Sequence, residues 1–244
     1  MSLLEVKNLS HTYGDKKLYS NAGFELYKGE HMGIVGVNGA GKSTLLKIIC
    51  GTAIPDEGEI KWQPNINIGI LDQYAEIIED YSVYDYLKTA FNELYKIEEK
   101  LNKSYEEMAC NINENIMKKA ALYQEILEEK EFYSIDSSIR KVATGLGIDA
   151  IGYDSQLNKL SGGQRAKVIL AKLLLQSPDI LLLDEPTNFL DKEHIKWLSE
   201  YLKDFKGAFI IVSHDFDFLD KITTCICAVS YTHLRAHETT LHLV

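Results

Sequence analysis

The sequence predicts an α/β fold with a mostly parallel core sheet, an antiparallel edge β-subdomain and an inserted helical subdomain or hairpin. Three observations predict it. Short apolar runs at 180–183 (Ile-Leu-Leu-Leu) and 208–212 alternate with amphipathic helical segments, the pattern of buried strands covered on both faces. A glycine-rich loop joins another such run, 31–35, to a helical pattern over 42–49. From Asn65 to Ala143 glycine is absent except for Gly69, and helix formers take over.

The elements follow in chain order. Residues 3–26 read as short strands separated by polar turns, with Tyr13-Gly14-Asp15 as turn chemistry. After the strand at 31–35, Leu45, Leu46, Ile48 and Ile49 fall at helical spacings, and Ile66, Ile68 and Ile70 alternate as a strand over 66–71. In the insert, Leu87, Phe91, Leu94, Ile97 and Leu101 line one helix, and Met117, Ala120, Tyr123 and Leu127 a second, antiparallel one. Residues 164–176 then give an amphipathic helix, 180–183 a buried strand, 192–202 a helix and 208–212 a further buried strand.

Composition bounds the function. The 244 residues are 45% hydrophobic and 25% charged, a globular balance. Lys and Arg total 26 against 36 Asp and Glu, a formal net charge of -10 with pI about 5.2, which rules out a broadly basic surface for coating nucleic acid. Cys50, Cys110, Cys225 and Cys227 are scattered without zinc-ligand spacing, and Glu5, Lys7 and His11 interrupt any export signal, so a reducing cytoplasm is expected. The apolar runs are far shorter than the roughly 20 residues that cross a bilayer.

Chemistry concentrates in three places. Gly36-Val-Asn-Gly-Ala-Gly-Lys42-Ser43 matches G-x-x-x-x-G-K-[ST] between a strand and a helix. The candidate phosphate ligands are Gly36, Asn38, Gly39, Ala40, Gly41, Lys42, Ser43 and Thr44. Glycines let amides face phosphate oxygens, Lys42 supplies a charge for the β and γ phosphates, and Ser43 a hydroxyl for Mg²⁺. The strand ending in Asp184-Glu185 delivers two carboxylates to the sheet's carboxyl edge: Asp184 for the Mg²⁺ shell, Glu185 to orient or deprotonate the attacking water. Ser161-Gly162-Gly163-Gln164 reads as a capping box opening a helix, whose bare glycines also admit a phosphate.

The order of these motifs, with a glutamine after a strand and a histidine after a later one, resembles the ATP-binding cassette superfamily of P-loop NTPases. The resemblance covers residues 1–228, with a helical insert and subdomain over 74–159. It implies ATP and Mg²⁺ as cofactors and ATP hydrolysis as the activity. It also implies that Tyr13 stacks on adenine, that Gln73 touches Mg²⁺ and water, and that Ser161 to Gln164 form the signature loop. His214 is then the residue that reads the γ-phosphate, and Asp191 lies at a dimer seam. By themselves Tyr13 also fits an edge-sheet aromatic and His214 a helix cap.

Asp184-Glu-Pro-Thr-Asn188-Phe-Leu-Asp191 further resembles the ABC-F subfamily, twin-cassette cytosolic ATPases that act on ribosomes in translation, although Phe189 stands where histidine or tyrosine is usual. Gly163-Gln-Arg-Ala-Lys167 agrees with that subfamily, as does the position of the helical insert. The subfamily implies a second cassette, in a carboxyl-terminal half or as a homodimer partner, and a ribosome or rRNA contact through the hairpin. Over 74–140, 8 basic and 15 acidic residues give a net charge of -7, which does not attract RNA in bulk. A hairpin that merely packs on the cassette stays open, as does the energising subunit of a membrane transporter. Glu185 speaks against a cassette without turnover. Residues 229–244 continue no cassette pattern and look like a translated sequencing adapter, so the natural chain is expected to extend further.

Overall fold

The computed structural model describes residues 2–71, 80–110, 113–230 and 233–237. The chain divides into two compact units, Met1–Glu76 with Ser177–Val244, and Ile77–Gln176.

The first unit holds both sheets. β1 (Ser2–Tyr13), β2 (Lys16–Tyr27) and β4 (Glu57–Trp62) form an antiparallel sheet in the order β2-β1-β4. β3 (His31–Val35), β5 (Ile68–Ile70), β6 (Ile180–Asp184), β7 (Ala208–Val212), β8 (Cys225–Ser230) and β9 (His233–His237) form the other, in the order β5-β6-β7-β3-β8-β9. Every pairing in it is parallel except β8 with β9. The predicted fold class is therefore the observed one. Parallel strands buried on both faces must be apolar throughout, and β7 has all five residues buried. Between the sheets, Leu4, Leu26, Ile34, Leu45, Ile210 and Cys227 share one core. Each fully buried aliphatic side chain there contributes about 1.5–3 kcal/mol. α1 (Lys42–Ile49), α7 (Lys192–Lys203) and α8 (Phe216–Ile222) complete the unit.

Three local readings are corrected. The region read as short strands is a hairpin of two 12-residue strands. Its apolar alternation is interrupted because Asn8 and Asn21 take positive φ (51° and 49°) near register shifts, which turn following side chains to the other face. β4 carries no strand pattern in the sequence because it is an edge strand with only Ile60 and Trp62 as partly buried large apolar residues. Gly58 there has φ 109°, and a Cβ would meet the Lys7 carbonyl oxygen at 2.7 Å, so the bulge requires glycine. The third concerns the segment read as patternless: β8 runs to Ser230, through residue 228, and β9 pairs against it. Val229 is 3% exposed in the core.

The second unit is helical. α2 (Val83–Lys88) passes through a 3-10 turn (Thr89–Phe91) into α3 (Asn92–Cys110), where the sequence suggested one continuous helix. α4 (Glu114–Glu129) follows α3, and Tyr105 Oη donates to Gln124 Oε1 across the pair at 3.0 Å. Ala120 and Leu127 are buried as expected, whereas Met117, assigned to the same stripe, is 48% exposed. α5 (Ile135–Gly145) and α6 (Gly162–Leu175) close the unit.

Candidate functional site

The site grows from the end of β3. Met32 and Ile34 are buried, and beyond Val35 the chain must reverse to start α1. It does so with Gly39 at φ 74° and Gly41 at φ 102°, conformations that a Cβ disfavours. Gly36 is required for space, since a Cβ would meet the Val229 carbonyl oxygen at 2.5 Å. Ala40 N–H closes the turn on Val37 O at 3.1 Å. Lys42 is buried, and its Nζ donates to Gly36 O at 2.8 Å and Val37 O at 3.3 Å, so the ammonium group spans the loop. With glycine at the N-cap and no acidic side chain in the first turn, α1 offers amides and the positive end of its dipole.

The acids come from β6. Ile180 to Leu183 are buried, and Asp184 emerges half-buried at the carboxyl edge. Burial pushes its carboxyl above the usual range, against the Ser43 hydrogen bond that lowers it; the neighbouring Glu185 charge raises it further and Lys42 lowers it. Its Oδ1 is buried and makes no hydrogen bond, although Ser43 engages the carboxyl group. Glu185 takes φ 47°, a left-handed conformation unusual outside glycine, while its N–H continues the sheet to Val212 O at 2.9 Å. Its Oε2 lies 2.8 Å from His214 Nδ1 and accepts the His214 N–H at 3.4 Å.

These groups meet in one cleft of about 550 Å³, lined by Tyr13, Lys16, Leu18, Asn38, Gly39, Gly41, Lys42, Ser43, Thr44 and Glu185. Tyr13, at the tip of the β1–β2 hairpin, is 73% exposed. Gly36 and Ala40 shape the loop without lining the cleft, Asp184 joins through Ser43, and His214 through Glu185. Lys16 and Leu18 were not anticipated. Lys16 Nζ donates to Gly39 O at 2.8 Å, and the only sequence signal was a lysine following the Gly14-Asp15 turn. The donor set fits a magnesium polyphosphate: the uncapped N-terminal amides of α1 and the Lys42 ammonium for phosphate oxygens, and the Ser43 hydroxyl beside the Asp184 carboxyl for a hard cation.

The remaining predicted positions fall elsewhere. Gln73 lies outside the described residues. In the helical unit, Ser161 Oγ accepts the Gln164 N–H at 3.3 Å and Gln164 Oε1 accepts the Ser161 N–H at 3.0 Å, a complete capping box. Ser161, Gly162, Gly163 and Gln164 are all exposed, and a Cβ at Gly162 would meet no atom within 4 Å. The motif is therefore a capping box, as its spacing predicts, and it leaves the loop open to solvent. Asp191 opens α7 and sits 4.0 Å from His194 Nε2.

A family model described as ABC transporter matches residues 19–188. An uncharacterized ABC transporter ATP-binding protein of Bacillus subtilis, YfmM, is 44% identical over 245 residues, covering 99% of this chain and 47% of that protein. The energy-dependent translational throttle protein EttA of Mycobacterium tuberculosis is 34% identical over 221 residues, covering 91% of this chain and 39% of that protein. The chain thus spans half or less of the length of these relatives. The solved ATP-binding subunit of an ABC transporter superposes with a TM-score of 0.69 at 20% identity, covering 97% of this chain and 90% of that one, a likeness of fold. With the phosphate loop inside the matched region and the same α/β architecture around it, the chain belongs to the ABC transporter family of ATP-binding cassettes.

Proposed function

We propose that this cassette binds Mg-ATP, hydrolyses it, and belongs to an ABC-F type protein that acts on the ribosome in translation. The observation that carries the nucleotide reading is the single cleft that gathers Tyr13, the phosphate loop, Ser43 and Glu185. In this reading Tyr13 packs on adenine, and the loop amides with Lys42 hold the β and γ phosphates. Ser43, Asp184 and Gln73 hold Mg²⁺, which supplies charge neutralisation at the transferring phosphoryl group. Glu185 orients the attacking water, and His214, paired with it at 2.8 Å, answers to the γ-phosphate. Ser161 to Gln164 serve the nucleotide of a second cassette, in another part of a twin-cassette protein or in a second copy, and turnover by this cassette alone is weak.

The ribosome reading rests on the Asp184–Asp191 motif, the paired helices α3 and α4, and the likeness to a translational throttle protein. Among the described residues no helix is long and apolar enough to cross a membrane. The competing role, an energising subunit of a transporter, is favoured by the name of the Bacillus relative. One experiment separates them: sucrose-gradient sedimentation of the Glu185→Gln protein together with its second cassette, in lysate with ATP, where trapped ATP holds the protein on its target. Co-migration with ribosomes is the expected result and fits a cytoplasmic factor; recovery with membranes moves the assignment to a transporter.

A further inference from the structure

The phosphate loop is held from outside by a residue that no motif contains. Tyr19 lies on β2 with 1% exposure, inside the core between the sheets. Its hydroxyl donates to the Gly41 carbonyl oxygen. The Leu45 N–H also donates to Gly41 O at 2.8 Å, so the phenol joins the first hydrogen bond of α1. Contact is close: a Cβ on Gly41 would meet the Tyr19 hydroxyl at 2.5 Å and Cζ at 3.1 Å. Burial pushes the phenol far above its ordinary ionisation range, so the hydroxyl remains a donor at every working pH.

The peptide unit converts this contact into function. In a planar trans peptide the carbonyl of one residue and the N–H of the next point in opposite directions. Fixing the Gly41 carbonyl toward the core therefore fixes the Lys42 N–H toward the opposite side, where Gly41, Lys42 and Ser43 line the cleft. We propose that Tyr19 is a positioning residue of the nucleotide site: by holding the Gly41 carbonyl it aims the Lys42 amide at the bound phosphates. This rests on the reading of the cleft as a nucleotide site. Gly41, at φ 102°, has the backbone freedom to turn this peptide, and the Tyr19 hydroxyl adds a second hold on its carbonyl beside the Leu45 N–H.

Tyr19→Phe removes the hydroxyl and keeps the ring. Titration calorimetry with ADP should show a Kd weaker by roughly 3- to 10-fold, the ratio expected for one net hydrogen bond. In ADP-bound ¹⁵N spectra the Lys42 amide should move, a signature that general loosening of the core does not produce. Equal Kd values and an unmoved Lys42 amide overturn the proposal, whereas a wild-type chain that fails to bind ADP at all overturns the nucleotide reading instead. Should the variant not fold, the wild-type protein still decides. Coupling is reciprocal in free energy, so ADP should lower the open population of the Tyr19 hydroxyl, read as its protection factor against exchange with water, by a similar 3- to 10-fold, and a protection factor indifferent to ADP sinks the proposal.

Discussion

Two glycine-bearing loops open helices in this molecule, and they solve the same local problem in opposite ways. A helix start leaves four amides without intrahelical partners. At α6 the loop answers with its own side chains: Ser161 is extended (φ -62°, ψ 160°) and exchanges two hydrogen bonds with Gln164. At α1 the N-cap is Gly41, left-handed and without a side chain, and the support comes from elsewhere. Tyr19 holds Gly41, Lys16 holds Gly39, and Lys42 folds back onto Gly36 and Val37. A loop that caps itself is locally stable and keeps fewer amides for a ligand. A loop held through its carbonyls keeps its N–H groups available, at the cost of needing a scaffold around it.

The largest effect should come from the residue that spans the uncapped loop. Lys42→Ala removes both the charge meant for phosphate and the bridge to two loop carbonyls. Nucleotide Kd, measured by calorimetry, should weaken by about 100-fold or more, as expected when a buried charge-assisted contact is lost together with its organising bonds. An affinity within a factor of 3 of wild type breaks the comparison, because the loop would then be organised without its lysine.

Asp184 gives the second effect, with a sign fixed by its environment. Its carboxyl is raised above the ordinary 3.8, mainly by burial, so in the ligand-free protein ionisation opposes folding. Stability from this group is fully present below the unfolded value and is lost as pH rises through the raised folded value. Asp184→Asn should therefore raise the ligand-free melting temperature at neutral pH, by an amount that solvent reaching this half-buried group reduces, and the gain should vanish near pH 3.5. Melting scans across that range test it. With Mg²⁺ and ATP present the order should reverse, since the carboxylate offers the cation a negative charge that the amide lacks. A variant less stable at neutral pH without ligand contradicts this account.

Ser161 sharpens the comparison from the other side. Ser161→Ala should cost about 1 kcal/mol through loss of the cap, read as a fall of a few degrees in melting temperature, whereas Ser161→Asp, which also caps, should recover most of it. An alanine variant that melts like wild type would mean the box contributes nothing.

What the sequence revealed followed from spacing. The phosphate loop, the strand ending in two acids and the Ser161–Gln164 box are contiguous or at fixed offsets, so their geometry is nearly implied by their letters. The parallel sheet was legible for the same reason, through the unbroken apolar runs of β6 and β7. Contacts between distant segments were not legible. Tyr19 reaches Gly41 across 22 positions, and Lys16 reaches Gly39 across 23, distances that no periodicity encodes. β4 was hidden by its edge position and its bulge at Gly58, and Met117 by its place at the exposed margin of a helical stripe.

The smallest effect concerns the left-handed residue of the cleft that is not a glycine. Glu185 adopts φ 47° while its N–H stays paired to Val212 O and its carboxylate to His214. A residue with a Cβ pays about 1 kcal/mol for this conformation, which glycine largely avoids. Both Glu185→Ala and Glu185→Gly lose the His214 contact, so their difference isolates the backbone. The strain relieved, about 1 kcal/mol, narrowly outweighs the roughly 0.4–1 kcal/mol of extra chain entropy that glycine gains when unfolded, so the glycine variant should be the more stable of the two by up to about 0.5 kcal/mol. Denaturant melts of the pair measure it. At an ordinary helical or extended position the order is the reverse, so a more stable alanine variant would show that the φ of Glu185 follows its side-chain contacts rather than the turn that ends β6. The expected order would mean that the turn itself aims position 185 at the cleft, with the strain borne where the acid is needed.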